Sequence, residues 1–130
     1  YNLAERGFEA ELQPLCVARE IGVISFYSLA SGFLTGKYRT MADLQGRARA
    51  GGVKKYLDAR GLRILQALDE VSARERVTQA QVALAWLLAQ PAVAAPIVSA
   101  TSVAQLEDIL GAARLKLSAS DLDVLDSACG

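Results

Sequence analysis

Apolar positions along this chain follow two patterns, one typical of buried strands and one typical of helices. Short continuous apolar runs occur at residues 23–27 and 94–98, and each is bounded by glycine, proline or serine. Such runs predict buried strands of a parallel sheet that helices cover. Apolar residues elsewhere recur every three or four positions, which predicts helices. The alternation of strands and helices therefore predicts an α/β fold with a parallel sheet.

Helix boundaries follow from residues that commonly begin helices. Pro14 is predicted to open the first helix, because proline has no N–H to lose at the first helical position. Thr78 with Gln81, and Ser102 with Gln105, have the spacing of capping boxes. The predicted helices cover about residues 11–21, 58–73, 79–90, 103–112 and, after a cap at Ser118 or Ser120, the stretch to residue 130.

Two other stretches are less regular. Residues 1–3 resemble the end of a strand. Residues 39–56 lose the periodicity and gain glycine and basic side chains, so they are predicted to form a long mobile loop, either a binding loop or a solvated basic surface. Trp86, the only tryptophan, lies at helical spacing among valine and leucine, which favours core packing over ligand stacking.

The loop after the first predicted strand has the composition of a phosphate cradle. It combines three hydroxyl side chains, two glycines and one lysine: Ser28, Ser31, Thr35, Gly32, Gly36 and Lys37. Glycine lets backbone N–H groups approach an anion closely, and lysine supplies a positive charge. An ordinary turn is the alternative interpretation, because glycine and serine are common in turns.

A second hydroxyl-rich stretch, residues 99–102, follows the second predicted strand and leads into a helix. The N-terminus of a helix offers unpaired N–H groups to a phosphate, although Ser102 could simply cap its own helix. Ligands of parallel α/β folds bind at the carboxyl ends of the strands. Both loops lie there, so together they predict a phosphate-binding site.

Composition narrows the class of protein. The 14 basic and 14 acidic residues give no charge excess that would favour nucleic acid. The longest apolar run, residues 82–89, is far shorter than the roughly 20 residues that span a bilayer. No leader opens the chain, so we expect a cytoplasmic protein that does not bind membranes. Cys16 and Cys129 lack metal-site spacing, and without histidine neither a Cys/His metal site nor a Ser/His pair is expected.

Three ordered motifs resemble the C-terminal portion of aldo-keto reductases. They are YSLASGFLTGKY at residues 27–38, TQAQVALAW at 78–86, and PIVSATS at 96–102 followed by QLED at 105–108. The family folds as a (β/α)8 barrel and reduces aldehydes and ketones with a nicotinamide dinucleotide, usually NADPH. The resemblance implies a partial TIM-type barrel around strands six to eight. Residues 1–130 are then a single unit, and a chain that begins at Tyr1 and has fewer than about 200 residues is expected to be a fragment.

The resemblance also implies a set of cofactor-binding residues. Tyr27 would lie against the nicotinamide ring. Arg47, or Arg49 in its place, would cover the adenosine end. The pyrophosphate would be held by Ser28, Leu29, Ala30, Ser31 and Lys37. The 2′-phosphate and adenine would lie near Ser99, Thr101, Gln105 and Asp108.

The sequence departs from the family pattern at three places. The proline that usually separates the positions of Ser28 and Leu29 is missing, so the loop is one residue short. Ile109 stands where asparagine is common. Ser99 and Gln105 stand where many relatives carry lysine or arginine. The resemblance makes NADP(H) the expected cofactor, and the missing basic residues keep NAD(H) as the alternative.

Catalysis is expected to need more than this chain. The family's proton-donating tyrosine and its aspartate, lysine and histidine partners lie on segments with no counterpart here, so no catalytic residue is assigned. A small carbonyl substrate is expected only in the full-length context. The competing hypothesis is a non-catalytic, truncated half-barrel, or a module that self-associates through its open sheet edges.

Overall fold

The computed structural model describes residues 1–130, in which two parallel strands alternate with helices. The strands are β1 (Val23–Ser25) and β2 (Val93–Pro96). The helices are α1 (Leu12–Ala18), α2 (Ala50–Val53), α3 (Ala59–Glu75), α4 (Gln79–Leu88), α5 (Val103–Gly111) and α6 (Ala119–Ala128). Short 3₁₀ turns occupy Gly7–Glu9, Ala30–Thr35, Met41–Leu44, Lys54–Tyr56 and Ala112–Arg114.

The two predicted strands exist and pair in parallel, but they are not buried. Val23 pairs with Val93 and Ser25 with Pro96, with an irregularity after Val23. Ile24 is 64% exposed, and Phe26, just beyond the strand, is 73% exposed. The prediction of two covered faces is wrong because no element of this chain lies over Ile24 and Phe26.

Side-chain caps set the starts of three predicted helices. The Asp58 carboxylate accepts a hydrogen bond of 2.7 Å from the Gly61 N–H at the start of α3. Thr78 forms a complete capping box with Gln81 at the start of α4, and Ser118, not Ser120, caps α6. Each cap satisfies N–H groups that the first turn leaves unpaired. These three helices are confirmed.

Other local predictions need correction. Helix α1 begins at Leu12, so Pro14 is its third residue, and it ends at Ala18, with Glu20 in a left-handed conformation at φ +53°. The box predicted for Ser102 and Gln105 is only half formed. The Ser102 hydroxyl accepts from the Gln105 N–H at 3.2 Å, but the Gln105 side chain accepts from Thr101. Residues 1–3 form no strand.

The segment of residues 40–56, hereafter the strap, is structured, contrary to the prediction of a loop without its own structure. Two 3₁₀ turns and α2 lie within it. Leu44, Val53 and Tyr56 are buried and belong to the main core. The sequence periodicity is lost because the strap consists of turns too short to repeat a pattern, while single apolar residues still fix it in place.

The core lies on one side of the sheet, between the strands and helices α3, α4 and α6. Helix α4 is buried almost throughout, and Trp86 at its centre is completely buried. The Trp86 indole N–H donates to the Asp126 carboxylate of α6 at 3.0 Å, which satisfies its only donor. Trp86 is therefore a core residue, as predicted. Helix α4 also contacts the Ala30–Thr35 turn after β1 and the helix α5 after β2.

Candidate functional site

A groove of about 640 Å³ lies where the two hydroxyl-rich loops meet. This volume is typical of ligand-binding sites in proteins. The groove brings together eight of the predicted site residues: Tyr27, Ser28, Leu29, Ser31, Lys37, Ser99, Gln105 and Asp108. It leaves out Ala30, Arg47 and Thr101, and it adds Gly32, Thr35, Arg49, Thr78, Ala80, Ile97, Val98 and Ile109.

The loop after β1 is coiled tightly by a run of left-handed residues. Tyr27, Ala30, Ser31 and Gly32 have φ values of +64°, +50°, +59° and +91°. Side chains with a Cβ rarely adopt this conformation, so the surrounding structure must hold it in place. Asn2 contributes, because its buried side-chain amide donates to the Tyr27 carbonyl at 2.9 Å. Successive turns of this kind can point backbone N–H groups toward an anion.

The hydroxyl groups of this loop hold the loop itself. Ser28 is buried, and its hydroxyl lies 3.0 Å from the Ile97 carbonyl, which ties the loop to the end of β2. The Ser31 hydroxyl donates to the Tyr27 phenol at 2.9 Å, and the Thr35 hydroxyl donates to the Gly32 carbonyl at 2.7 Å. Their protons are therefore committed inside the protein. They shape the groove, and the binding role predicted for Ser28 and Ser31 stays a prediction.

Two cations supply positive charge to the groove. Lys37 is exposed, forms no ion pair, and lies 5.0 Å from the centre of the Tyr38 ring. Arg49 of the strap also lines the groove. Arg47 instead lines a small neighbouring hollow with Lys37, Tyr38 and Asp43. Of the two arginines considered from the sequence, Arg49 is the one that reaches the groove.

The loop after β2 contributes neutral polar groups. The Thr101 N–H and hydroxyl both donate to the Gln105 side-chain oxygen at 2.9 Å. This bond turns Thr101 toward Gln105 and leaves the two amide hydrogens of Gln105 available to a ligand. Ser99 is exposed and forms no hydrogen bond within the chain. This end of the groove can donate hydrogen bonds but carries no lysine or arginine.

Asp108 is partly committed to the start of α4. The Thr78 hydroxyl lies 3.0 and 3.1 Å from the two Asp108 carboxylate oxygens, and the Gln81 side-chain amide donates to the Asp108 carbonyl at 2.8 Å. Thr78 and Ala80 thus place the N-terminus of α4 at the groove. The capping-box spacing located this N-terminus in the sequence, but only the fold shows that it meets α5.

The strap closes over the loop that follows β1. A Cβ atom on Gly52 would lie 2.6 Å from the Ser31 hydroxyl and 3.5 Å from the Tyr27 phenol, so only glycine allows this approach. The end of the strap is fixed by Glu5, which accepts from Lys55 at 2.6 Å and from the Tyr56 phenol at 2.9 Å. The bond from Lys55 lowers the pKa of Glu5, and the same bond raises the pKa of Lys55.

Two of the four tyrosines are poor proton donors. Burial raises the pKa of Tyr56 well above its usual value, and the hydrogen bond to Glu5 raises it further. Burial also raises the pKa of Tyr1, whose phenol donates to Glu9 at 2.6 Å. A general acid works best with a pKa near the working pH. Neither phenol has the environment that carbonyl reduction would need.

The groove can bind an extended anionic ligand. Lys37 and the tight turn belong to the loop after β1, Ser99 with the Gln105 amide belongs to the side of the loop after β2, and Arg49 reaches the groove from the strap. Ile97, Val98 and Ile109 supply apolar wall between them. A dinucleotide has the matching character, with a diphosphate next to apolar rings and ribose hydroxyls, and its site usually includes such a turn. The residues present therefore fit this class of ligand.

A membrane-spanning helix would need to be longer and more apolar than any helix of this structure, and the cytoplasmic location remains a prediction.

The family model described as "Aldo/keto reductase family" matches residues 1–129. Aldo-keto reductase yakc [NADP(+)] of Schizosaccharomyces pombe is 30% identical over 124 residues, which are 93% of this chain and 36% of the relative. Probable aldo-keto reductase 1 of Glycine max is 32% identical over 127 residues, covering 94% and 36%.

A solved structure gives the same result. The crystal structure of the thermostable aldo-keto reductase Tm1743, in complex with the inhibitor epalrestat, superposes with a TM-score of 0.70 at 25% identity. The match covers 98% of this chain and 37% of that one, so the chain spans little more than a third of the proteins it resembles. The resemblance and the fold class inferred from the sequence are confirmed. This chain belongs to the aldo/keto reductase family of oxidoreductases, and its fold is part of a TIM barrel.

Proposed function

We propose that residues 1–130 are a single cofactor-binding unit of an aldehyde- or ketone-reducing enzyme, with NADP(H) as the cofactor. The observation that carries this proposal is the convergence of both strand-end loops on one groove, with Lys37 and Arg49 on its wall. The cofactor would supply the hydride. Lys37 and the backbone turn after Tyr27 would hold its diphosphate. Arg49 would cover the adenosine end with its 2′-phosphate, and Ser99 and Gln105 would donate to the adenosine half.

The binding test is a titration with NADPH, followed by nicotinamide fluorescence and by calorimetry. Replacing the lysine in Lys37→Met should raise Kd about tenfold, because a hydrogen bond or ion pair to a charged group is lost. Lys116→Met is the matched control, since Lys116 is an exposed lysine that lies outside the groove. No NADPH binding by the unaltered chain, or equal losses in both variants, would contradict the proposal.

Cofactor preference is tested in the same assay with NADH. The loop after β2 has no lysine or arginine for a 2′-phosphate, and only Arg49 lines the groove from the strap. We expect NADPH to bind more tightly than NADH, and Arg49→Gln to reduce that difference. An unchanged NADPH-to-NADH ratio in this variant would mean that Arg49 does not contact the 2′-phosphate.

Hydride transfer is proposed to need residues that this chain does not supply. The environments of Tyr1 and Tyr56 make them weak acids, and the chain has no histidine that could donate a proton. Incubating the chain with NADPH and an aromatic aldehyde should therefore give no NADPH oxidation above the buffer rate. Oxidation that depends on the chain and on Lys37 would overturn this part of the proposal.

A second candidate function, self-association of two copies, is favoured by the surface of the molecule. Its solvent-accessible surface is 7419 Å². A compact monomer of 13.8 kDa would expose about 6,600 Å², so the excess of about 800 Å² equals one side of a standard protein interface. The excess is apolar in part, because Ile24, Phe26 and Leu106 are exposed. A second copy could pair with the open edges of the sheet.

Sedimentation over a hundredfold range of concentration tests this candidate. A dimer should form that Phe26→Ser weakens, whereas Met41→Ser, at an exposed apolar residue of the strap, should leave it unchanged. A stable monomer at every concentration would rule out self-association. That outcome would leave the cofactor-binding proposal intact, since the two rest on different surfaces.

A further inference from the structure

Lys37 depends on the backbone turn beneath it for its position. Its side chain is exposed and has no carboxylate partner. It lies across Gly32, where a Cβ atom would be 3.6 Å from the lysine Cε and 3.7 Å from Nζ. Beyond Gly32 its ammonium group meets only the face of the Tyr38 ring. A lysine with so few contacts keeps a defined place only if its own backbone is held.

That backbone is held by Arg39. The turn before Lys37 passes through Gly36, which has φ +76°. The Arg39 Nε atom donates to the Gly36 carbonyl at 3.1 Å. The two terminal nitrogens of the same guanidinium group donate to both carboxylate oxygens of Asp69 in α3, at 2.7 and 2.8 Å. Arginine can serve both partners at once because its five N–H donors form a rigid fork.

A second contact closes this arrangement from α4. The Gln79 side-chain amide, at the first residue of α4, donates to Asp69. Its oxygen is buried without a hydrogen-bond partner and packs against Gly36, where a Cβ atom would overlap it. The Gly36 turn therefore lies between Arg39, which is paired with Asp69 of α3, and Gln79, which belongs to α4. We name Arg39, Asp69 and Gln79 the turn clamp.

We propose that Arg39 is a positioning residue for cofactor binding: through the turn clamp it fixes the Gly36 turn and keeps Lys37 on the wall of the groove. The inference rests on the proposed function, because Lys37 matters only if the groove binds an anion. Arg39 itself is not among the residues that line the groove. Any effect of Arg39 on affinity is therefore indirect, and the proposed route through Lys37 can be tested.

The first experiment compares NADPH affinity in variants of Arg39 and of its partner Asp69 in α3, with a control at the next residue of α3. Asp69→Asn and Arg39→Ala should each raise Kd about fivefold, because the guanidinium loses its charged partner or disappears. Arg39→Lys, which keeps the charge but not the fork, should fall in between. Glu70→Gln is the matched control, because it removes the exposed Arg74–Glu70 ion pair next to Asp69 in the same helix. Its Kd should not change.

A double-mutant cycle separates positioning from general stability. In a Lys37→Met background the lysine has no charge to position, so adding Arg39→Ala should not raise Kd further. Equal losses in both backgrounds would show that Arg39 acts independently of Lys37 and would overturn the proposal. Denaturation midpoints of every variant show whether each one is folded at the assay temperature.

Amide hydrogen exchange provides a readout that needs no cofactor. Exchange of the Gly36 N–H, which donates to the Phe33 carbonyl at 3.1 Å, should be faster in Arg39→Ala and Asp69→Asn than in the unaltered chain, and unchanged in Glu70→Gln. Equal exchange in all four proteins would overturn the turn clamp even if NADPH binds. Failure of the unaltered chain to bind NADPH would instead overturn the proposed function, and the exchange rates would then decide the turn clamp separately.

Discussion

Helices α3 and α4 bury six and seven of their residues, whereas α1 and α5 bury none. The packed side has two long helices against the sheet, with α6 closing over them. The open side, defined by α1, the outer face of β1 and α5, shows leucine, isoleucine, valine and phenylalanine to solvent. Apolar residues recur at helical spacing in α1, α3 and α5, and α4 is apolar on nearly every face. They differ because only the packed side has neighbours within this chain.

The contrast shows what a strand–helix unit requires. In a parallel α/β fold each helix packs between two strands, and each strand pairs on both edges. Strands β1 and β2 pair with each other, and the helices α3 and α4, which lie between them in the sequence, are packed in the core. The outer partners of α1 and α5 are absent, in agreement with a chain that covers 36–37% of the relatives quoted above. The apolar stripes of α1 and α5 are therefore present in the sequence, but in this chain they are left exposed to solvent.

The largest expected effect compares two phenylalanines across this divide. Phe33 is completely buried and stacks on Tyr56 with ring centres 5.2 Å apart, whereas Phe26 is 73% exposed. Phe33→Ala should cost about 3–5 kcal/mol of unfolding free energy, because it removes a core ring and leaves a cavity. Phe26→Ala should change it by less than about 0.5 kcal/mol. Urea denaturation measures both, and similar losses would mean that the open side is packed in solution.

A smaller effect is expected at the ion pair that joins α6 to α3. Asp121 is buried; burial alone would raise its pKa, but hydrogen bonds from Ser118 and the charge of Arg74 outweigh it and lower the pKa. A lowered pKa in the folded state means that the carboxylate stabilises the fold above its usual pKa of about 3.9. This stability is lost as pH falls through the folded-state pKa.

Asp121→Asn should therefore cost about 1–3 kcal/mol at pH 7, because Arg74 and Ser118 lose a charged partner. The variant should also lose less stability than the unaltered chain when the pH falls below about 4. Urea denaturation at pH 7 and at pH 3 measures both effects. Glu70→Gln, which removes the exposed partner of the same arginine, should have almost no effect. Parallel pH profiles for the aspartate and asparagine proteins would contradict the assignment.

The sequence predicts the packed side well, because its signals are local. Capping residues such as Thr78 and Ser118 act within one turn, and the apolar spacing of α3, from Leu62 to Val71, persists over about two and a half turns. The exposure of Ile24 could not be predicted, since an apolar strand is the same whether or not its neighbours are present. The sequence predicts a loop at residues 39–56 because the contacts that order this stretch, such as Tyr56 with Glu5, join positions 51 residues apart.

The candidate site shows the same division. Motif resemblance located Lys37, Ser99 and Gln105, because the family keeps these positions in order along the chain. It favours Arg47, with Arg49 as the alternative, whereas Arg49 is the one that lines the groove, because both lie in a strap whose path depends on distant contacts. It could not find Thr78, which lines the groove only because α4 and α5 meet there. The turn clamp was missed for the same reason: Arg39 and Asp69 are 30 residues apart.

The smallest expected effect uses two adjacent glycines of α2 to find where the packed side ends. A Cβ atom on Gly51 would meet nothing within 4 Å, whereas one on Gly52 would press on the Ser31 side chain, whose Cβ is 3.2 Å away. Gly51→Ala should raise stability by about 0.5 kcal/mol, because alanine restricts the unfolded chain without strain. Gly52→Ala restricts the unfolded chain to the same extent, but its methyl group must displace Ser31. It should therefore lower stability by about 1 kcal/mol.

The two glycine variants also differ in their expected effect on the groove. Ser31 holds the Tyr27 phenol, so moving the strap away from Ser31 should raise the Kd of NADPH for Gly52→Ala and leave it unchanged for Gly51→Ala. Thermal denaturation and the NADPH titration together measure this. Because the variants differ by one position in the same turn, a shared effect on helix propensity cancels between them. Equal behaviour would place the strap away from Ser31 in solution, and the packed side would then end at Tyr56.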